Sequence, residues 1–226
     1  MRKAHIESLN AVENVLSERA ILAETDCPFV VKLHATFKTQ KFIFMVMDAN
    51  MGGELLTMIN NERQLSQKKV KFYTACIVLA IQHLHHNKIM YRDLKPENCM
   101  IDNQGYIQLV DFGFAKKCSN KTYTMCGTPD FMAPEIIRKQ GHGVNVDWWA
   151  LGCLVYELLV GYSPFSDPSN NALQIYENIV KGEFEFPAGF PSAASNLVTK
   201  FLDKNPKKRF GWATGSVKDI KVMQLY

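Results

Sequence analysis

The most informative segment of the chain is YRDLKPEN at residues 91–98, which is followed by DFG at residues 111–113. It places Asp93, Lys95, Asn98 and Asp111 at short, ordered intervals. A transferring phosphoryl group carries spread negative charge, which a protein mainly positions and neutralises. Asp93 could orient or accept the proton of an attacking hydroxyl, and Lys95 could neutralise the moving group. Asn98 and Asp111 offer the oxygen ligands that Mg²⁺ prefers. The pattern therefore predicts phosphoryl-transfer chemistry.

These two segments resemble the catalytic loop and the metal-binding triplet of protein kinases, with Tyr91 where many kinases carry His. Taken alone, Asp93 would more often be a turn-capping aspartate, but the ordered spacing of the whole set is uncommon. The segment GTPDFMAPE at 127–135 is similar to the kinase loop that positions the peptide and ends in Ala-Pro-Glu. The segment DWWALG at 147–152 is similar to the start of the large buried helix that follows it.

The resemblance implies an α+β fold of the two-lobe protein kinase type, which makes residues 1–226 a partial kinase domain. Residues 1–48 would be the remnant of an incomplete small β lobe, and residues 49–226 a mainly helical large lobe. Hydrophobic periodicity and turn signals predict the local structure. The predicted helices cover residues 6–23, 54–60, 66–86, 148–160 and 192–202, and the predicted strands cover 29–37, 41–48, 100–102 and 107–110.

Apolar positions assign a buried face to two of these helices. In the first, the apolar residues at spacings of three and four are Leu9, Val12, Leu16, Ala20 and Ala23. In the helix at 66–86, which Ser66 could cap, they are Val70, Tyr73, Thr74, Ile77 and Ile81.

The resemblance also assigns roles within the active site. Asp93 would be the catalytic base and Lys95 would stabilise the transferred charge, while Asn98 and Asp111 would bind Mg²⁺. ATP would be the phosphate donor.

Four further residues would hold the nucleotide. Asp48 and Ala49 would belong to the hinge that recognises adenine through backbone groups. Glu54 could reach the ribose, and Met100 would form the floor under the base, a role compatible with an ordinary core methionine.

Acidic residues predict the substrate. Glu54, Glu97 and Glu157 match family positions that receive arginines upstream of the target residue, and Asp130 would add to the same surface. Arginine pairs with a carboxylate through a two-pronged fork that lysine cannot copy. The expected partners are therefore proteins with Arg or Lys a few residues before a Ser or Thr, although any one of these acids alone is more often solvated surface.

Structural and regulatory positions follow from the same resemblance. Glu135 would pair with Arg209, because a buried charge needs a partner. Asp147 would be structural, and Glu18 would be the helix glutamate that pairs with a lysine in the family. Thr124 would be an activating phosphorylation site.

Arg92 and Lys116 match the positions that clamp the phosphate on such a threonine. Asn14 replaces the helix histidine that usually joins them. The alternative is that Thr124 is not phosphorylated and is an ordinary threonine in a loop.

The sequences of several segments indicate which group of protein kinases the chain resembles. DFGFAKK at 111–117 and TMCGTP at 124–129 are similar to the basophilic cyclic-nucleotide-dependent kinases. Residues 72–76 and 217–220 favour the cyclic-GMP-dependent members, whereas residues 105–108 and 146–149 favour the cyclic-AMP-dependent ones. The two remain open, and a regulatory cyclic-nucleotide-binding domain or subunit would lie outside this chain.

Composition excludes several other classes. The net charge of +4 is mild and its basic residues alternate with acids, so nucleic acid is not an expected partner. The longest apolar run, residues 148–160, is shorter than the ~20 residues that span a bilayer. The start of the chain does not read as a signal peptide. Six scattered cysteines favour a reducing compartment, and the sequence predicts a soluble, cytoplasmic protein.

The Gly-x-Gly-x-x-Gly pattern and the strand with the lysine that would pair with Glu18 are not found in the sequence. Their strands would cover a sheet edge near residues 42–47, which is predicted to be exposed. The favoured interpretation is a fragment of an active kinase. The alternative is a weakly active or non-catalytic interaction module built on a kinase large lobe.

Overall fold

The computed structural model describes residues 1–117 and 120–211, and shows a mixed α and β architecture. The segment at 217–220 lies outside the described residues. The elements in chain order are α1 (Lys3–Ser8), α2 (Val12–Glu24), β1 (Leu33–Lys38), β2 (Ile43–Met47), β3 (Gly53–Glu54), α3 (Leu55–Glu62), α4 (Gln67–His86), β4 (Ile89–Met90), β5 (Cys99–Ile101), β6 (Ile107–Leu109), β7 (Lys116–Lys117), α5 (Pro134–Ile137), α6 (Asn145–Val160), α7 (Ala172–Lys181) and α8 (Ser192–Phe201).

The first predicted helix is interrupted. Asn10 has a φ of 51°, in the left-handed region, so α1 and α2 are separate helices. The predicted buried face is also wrong, because its apolar positions are all exposed in the structure. The buried residues of α2 are instead Ile21 and Leu22, near its end.

The strands β1 and β2 form an antiparallel pair in which Phe37 faces Phe44. Both strands begin later than the sequence predicts. The edge of β2 that was expected to be exposed is paired in part: Met1 and Ile43 exchange backbone hydrogen bonds, and Lys3 N donates to Lys41 O at 3.0 Å. The boundary predicted between residues 48 and 49 remains a prediction.

Two small sheets frame the centre of the molecule. β3, β5 and β6 form an antiparallel sheet, and β4 pairs with β7. The hairpin predicted around residues 103–105 is present as β5 and β6. The segment at 29–31 joins this sheet, because Val31 N donates to Leu109 O at 3.0 Å and Leu109 N to Phe29 O at 2.9 Å.

The core is built around α4 and α6. The predicted face of α4 is buried as expected, and Ser66 caps the helix by accepting from Lys69 N. α6 is buried around its circumference, as its continuous apolar run predicts. Trp148 of α6 stacks on Phe201 of α8 with ring centroids 5.9 Å apart. Within residues 1–117 and 120–211, no helix has the length and the apolar character needed to cross a membrane.

Candidate active site

The carboxylate of Asp93 lies at the centre of a hydrogen-bonded group. Asp93 follows β4 and is 4% exposed. Asn98 donates from Nδ2 to Asp93 Oδ2 at 2.8 Å and to the Asp93 carbonyl at 2.9 Å. Lys95 Nζ lies 3.0 Å from Oδ2, and Thr128 donates from Oγ1 to Oδ1 at 3.2 Å. The carboxylate is thus held by an amide, a cation and a hydroxyl, which fix its orientation.

The carboxylate of Asp147, at the start of α6, fixes the backbone of the loop at residues 91–98 by accepting hydrogen bonds from it. Its Oδ1 accepts from Arg92 N at 2.8 Å, and its Oδ2 accepts from Tyr91 N at 3.0 Å. His85 Nε2 lies 2.7 Å from the same Oδ2. Arg92 has a φ of 69°, a conformation that side chains rarely adopt and that surrounding contacts must hold in place. The fully buried carboxylate of Asp147 supplies two of these contacts.

Tyr91 connects the loop to the segment that contains Asp111. Its hydroxyl donates to the Val110 carbonyl, and its ring lies edge-on to Phe112 with centroids 5.1 Å apart. Burial raises the pKa of Tyr91 well above its ordinary value, so the hydroxyl remains a donor. The motifs at residues 91–98 and 111–113, separated in sequence, are therefore packed against each other.

Asp111 lies at the exposed side of this junction. It has a φ of 55°, and its Oδ1 accepts from Gly113 N at 3.1 Å. Glu18 of α2 accepts from Phe112 N at 3.2 Å. Burial and then the negative charge of Asp111 raise the pKa of Glu18. Glu18 therefore lies at the DFG segment, and among the described residues it forms no ion pair with a lysine.

Two of the predicted nucleotide contacts lie side by side. Glu54 of β3 pairs with Met100 of β5 in the antiparallel ladder. At the hinge, Asp48 uses its side chain for His34, whose Nε2 lies 2.6 Å away, and that contact lowers the pKa of Asp48. Ala49 is exposed beside it. The backbone N–H of Asp48 is also used, since it donates to the Lys32 carbonyl at 3.1 Å, and the hinge role of Asp48 and Ala49 stays a prediction.

Four acidic residues are predicted to bind the substrate. The pKa of Glu157 is affected by two of the others, and Glu54 lies apart from them. Burial, then the charges of Glu97 and Asp130, raises the pKa of Glu157 to about 7. Burial also raises the pKa of Asp130. Glu157 is therefore close enough to Glu97 and to Asp130 to be affected by their charges, and a cation beside it would be favourable. Glu54 is exposed and takes no part in this repulsion.

The predicted pair of Glu135 and Arg209 is present in the structure. The guanidinium donates from Nη1 to Oε1 at 2.6 Å and from Nη2 to Oε2 at 2.9 Å. Arg209 is 1% exposed and Glu135 5%. Arg209 also lies over the ring of Trp149, 5.1 Å from its centroid. This fork joins the end of the peptide-positioning loop to the chain after α8.

Thr124 lies on the surface, between Thr122, which contacts the Lys116 ammonium, and Gly127, which lies against the backbone of Arg92. Lys116 donates from Nζ to Thr122 Oγ1 at 3.1 Å. On the other side, Gly127 lies against Arg92, since a Cβ at Gly127 would be 2.8 Å from the Arg92 carbonyl. Thr124 is therefore two residues from a contact of the Lys116 ammonium and three residues from a contact with the Arg92 backbone. Asn14, in the histidine position, is exposed.

Three site residues were not predicted. Thr128 donates to Asp93 and accepts from Lys95 Nζ at 3.1 Å. Its position in the segment GTPDFMAPE, at residues 127–135, could have indicated that it belongs to the site. His85 contacts Asp147, and His142 is buried against Thr122 through backbone hydrogen bonds. Neither histidine has a sequence pattern that distinguishes it from an ordinary helix or loop residue.

The loop at 91–98, the DFG segment and the buried Glu135–Arg209 fork define a protein kinase domain. A family model described as "Protein kinase domain" matches residues 1–220, and the chain belongs to this family. It is 43% identical over 221 residues to the "cAMP-dependent protein kinase catalytic subunit" of Dictyostelium discoideum, covering 98% of this chain and 34% of that protein.

Two other relatives give the same picture. Identity is 43% over 225 residues with "cGMP-dependent protein kinase 2" of Homo sapiens, covering 98% of this chain and 29% of that protein. It is 39% over 221 residues with "cAMP-dependent protein kinase type 3" of Saccharomyces cerevisiae, covering 98% and 55%. The chain thus spans from about a fifth to about half the length of the curated relatives it matches. The resemblance to cyclic-nucleotide-dependent kinases is confirmed, with neither the cyclic-AMP nor the cyclic-GMP type favoured.

Proposed function

We propose that this chain carries the catalytic residues of a serine/threonine protein kinase, a transferase that moves the γ-phosphate of ATP to Ser or Thr of protein substrates. The observation that carries the proposal is the oriented carboxylate of Asp93, held by Asn98, Lys95 and Thr128. In this arrangement Asp93 accepts the proton of the attacking hydroxyl, a contribution worth roughly 10²–10⁴-fold in rate. Lys95, 3.0 Å from the carboxylate, lies where it can also neutralise the transferring group.

The residues present fit ATP with Mg²⁺. Asn98 uses its Nδ2 for both hydrogen bonds to Asp93, which leaves its Oδ1 as the atom of the type that Mg²⁺ prefers. Asp111 presents an exposed carboxylate. The described residues contain no group of three or more His, Cys, Asp or Glu side chains placed to hold a metal alone. This agrees with a Mg²⁺ ion held by one or two protein oxygens and by the phosphates of the nucleotide. Bound Mg²⁺ would neutralise charge on those phosphates.

The substrates we propose carry Arg or Lys upstream of the target residue. Burial and then repulsion by the charges of Glu97 and Asp130 raise the pKa of Glu157. A guanidinium placed among them would relieve that repulsion and pair with carboxylates through charge-assisted hydrogen bonds. Glu54 would receive a second basic residue at the exposed edge.

We propose that phosphorylation of Thr124 regulates the site. A phosphate adds ≈ −1.5 to −2 charge, which Arg92 and Lys116 can neutralise. Arg92 precedes Asp93 in the chain, and its backbone N–H donates to Asp147. A phosphate that fixes Arg92 would therefore also help to fix the catalytic carboxylate of Asp93. A cyclic-nucleotide-binding domain or subunit would provide a second control, as the names of the relatives suggest.

A cytoplasmic location is proposed as well. The five cysteines that the structure describes are free, as expected in a reducing compartment.

One observation favours a second candidate, a weakly active or non-catalytic interaction module. Glu18 accepts a hydrogen bond from Phe112 N at 3.2 Å, and among the described residues no lysine lies at ion-pair distance from it. In this alternative the large lobe would bind a partner protein without efficient phosphate transfer.

The test uses Mg-ATP and a peptide with two arginines upstream of its Ser. It compares the chain as given with a form extended at its N-terminus by the glycine-loop strands of a relative. Transfer by the extended form, lost in Asp93→Asn and weakened when both peptide arginines become Ala, is the expected result. An extended form that folds and yet transfers no phosphate would favour the interaction module.

A further inference from the structure

His142 lies beneath the segment that carries Thr124. His142 N donates to Thr122 O at 2.8 Å, and Thr122 N donates to His142 O at 2.9 Å. The residue is 3% exposed. Thr122 is also the residue to which Lys116 donates. His142 is thus buried beside Thr122, to which Lys116, one member of the proposed phosphate clamp, also donates a hydrogen bond.

Two buried nitrogen atoms here have no hydrogen-bond partner in the described part of the chain, His142 Nε2 and Arg92 Nη1. Arg92 satisfies its Nε by donating to the Phe114 carbonyl at 2.8 Å, so only part of the guanidinium is used. Buried polar atoms are normally paired, and an unpaired one is costly. Both atoms would therefore gain from a ligand that supplies acceptor oxygens.

The charges around His142 favour an anion. Burial, then the positive charge of Arg92, lowers the pKa of His142 to about 4, with Lys116 acting in the same direction. Glu135 and Asp147 act in the opposite direction, but each is already engaged. Glu135 is held in the fork of Arg209 and Asp147 by His85 and two backbone N–H groups.

Neither Arg92 nor Lys116 has a carboxylate at ion-pair distance within residues 1–117 and 120–211. The uncompensated charge at this point is therefore positive.

We propose that His142 is the third cationic group of a phosphate site formed with Arg92 and Lys116, and that it takes up a proton from solvent when phosphorylated Thr124 enters. The inference rests on the phosphorylation switch proposed above. A phosphate has three strong acceptor oxygens, which match the unpaired Nη1 and Nε2 atoms and the Lys116 ammonium. His142 would thus supply from below the contact that exposed Asn14 does not supply from α2.

The first experiment titrates the histidine ring signals of the full chain by NMR, with and without phosphothreonine incorporated at position 124. Without phosphate, His142 should stay neutral down to about pH 5. With phosphate, its midpoint should rise by about 1–3 pH units, the effect of an opposite charge at close range. Exposed His86 on α4 is the internal control and should titrate alike in both forms. The same His142 midpoint in both forms would overturn the proposal.

A second measurement separates this inference from the switch on which it rests. We compare the rise in melting temperature caused by phosphothreonine 124 in the wild-type chain, in Arg92→Gln and in His142→Gln at pH 5, above the His142 midpoint expected without phosphate and not above the one expected with it. A rise that falls in both variants supports the three-group site. If Arg92→Gln removes the rise and His142→Gln leaves it intact, the switch stands and the role of His142 fails. No rise in the wild-type chain would refute the switch itself.

Discussion

Replacing Arg209 by Met should destabilise the protein strongly, and the geometry sets the size. The guanidinium is 1% exposed and holds both oxygens of Glu135 at 2.6 and 2.9 Å. It also donates to the Asn145 carbonyl and the Asp203 carbonyl, each at 3.1 Å. Met fills much of the same space but leaves a buried carboxylate without a partner. Removing one member of a buried pair costs about 3–5 kcal/mol, so we expect a loss of about 4 kcal/mol.

The assay is urea unfolding followed by far-ultraviolet circular dichroism, with the midpoint and slope compared at one pH. A loss of 4 kcal/mol in a chain of this size also corresponds to a melting temperature lower by roughly 8–16 °C. The matched control is Lys69→Met. Lys69 lies 2.5 Å from Glu62, but both side chains are about 40% exposed. Surface pairs contribute about 0–1 kcal/mol, so this control should change little.

The double variant Glu135→Leu with Arg209→Met tests the reason for the loss. If the cost comes from a stranded charge, removing both charges should restore much of the stability lost in Arg209→Met alone. A double variant that loses the full sum of the two single losses would refute the stranded-charge explanation. So would an Arg209→Met protein within 1 kcal/mol of the wild type.

Three further predictions test other parts of the structure. The folded-state pKa of Glu157, about 7, lies above its ordinary 4.5, so its contribution to stability is lost as pH rises through that window. Glu157→Gln should flatten the stability–pH curve by at most about 3 kcal/mol, measured by urea unfolding at pH 4.5 and 8. Gly152→Ala should cost about 1–3 kcal/mol in thermal unfolding, because its Cβ would lie 2.8 Å from Phe201 Cβ, whereas Gly143→Ala, with open space, should be neutral. In an active extended form, Thr128→Val should lower kcat about 10–100-fold by removing a hydrogen bond to a charged group, with melting temperature as the control for folding.

The sequence predicted the elements whose pattern has one physical outcome. A helix that is apolar around its circumference must be buried, and α6 is. A capping serine before a periodic apolar run begins a helix, as Ser66 does for α4. The buried face predicted for the α2 region was wrong. Its apolar residues are spaced as on one face of a helix, but spacing does not say whether a neighbouring element covers that face. In the structure Leu16 is 56% exposed and Leu22 is buried.

For the site, the sequence by itself determined the chemical groups and their local geometry. Asp93 and Asn98 are five residues apart, so one short loop brings the carboxylate and the amide within 2.8 Å. The contacts that hold this loop in place come from distant parts of the chain. Asp147 supports it from 55 residues away, and Glu18 meets Phe112 across 94 residues. Contacts between distant segments depend on how helices and sheets pack, which local sequence does not encode. For the same reason, the burial of His142 beside Thr122 could be seen only in the folded molecule.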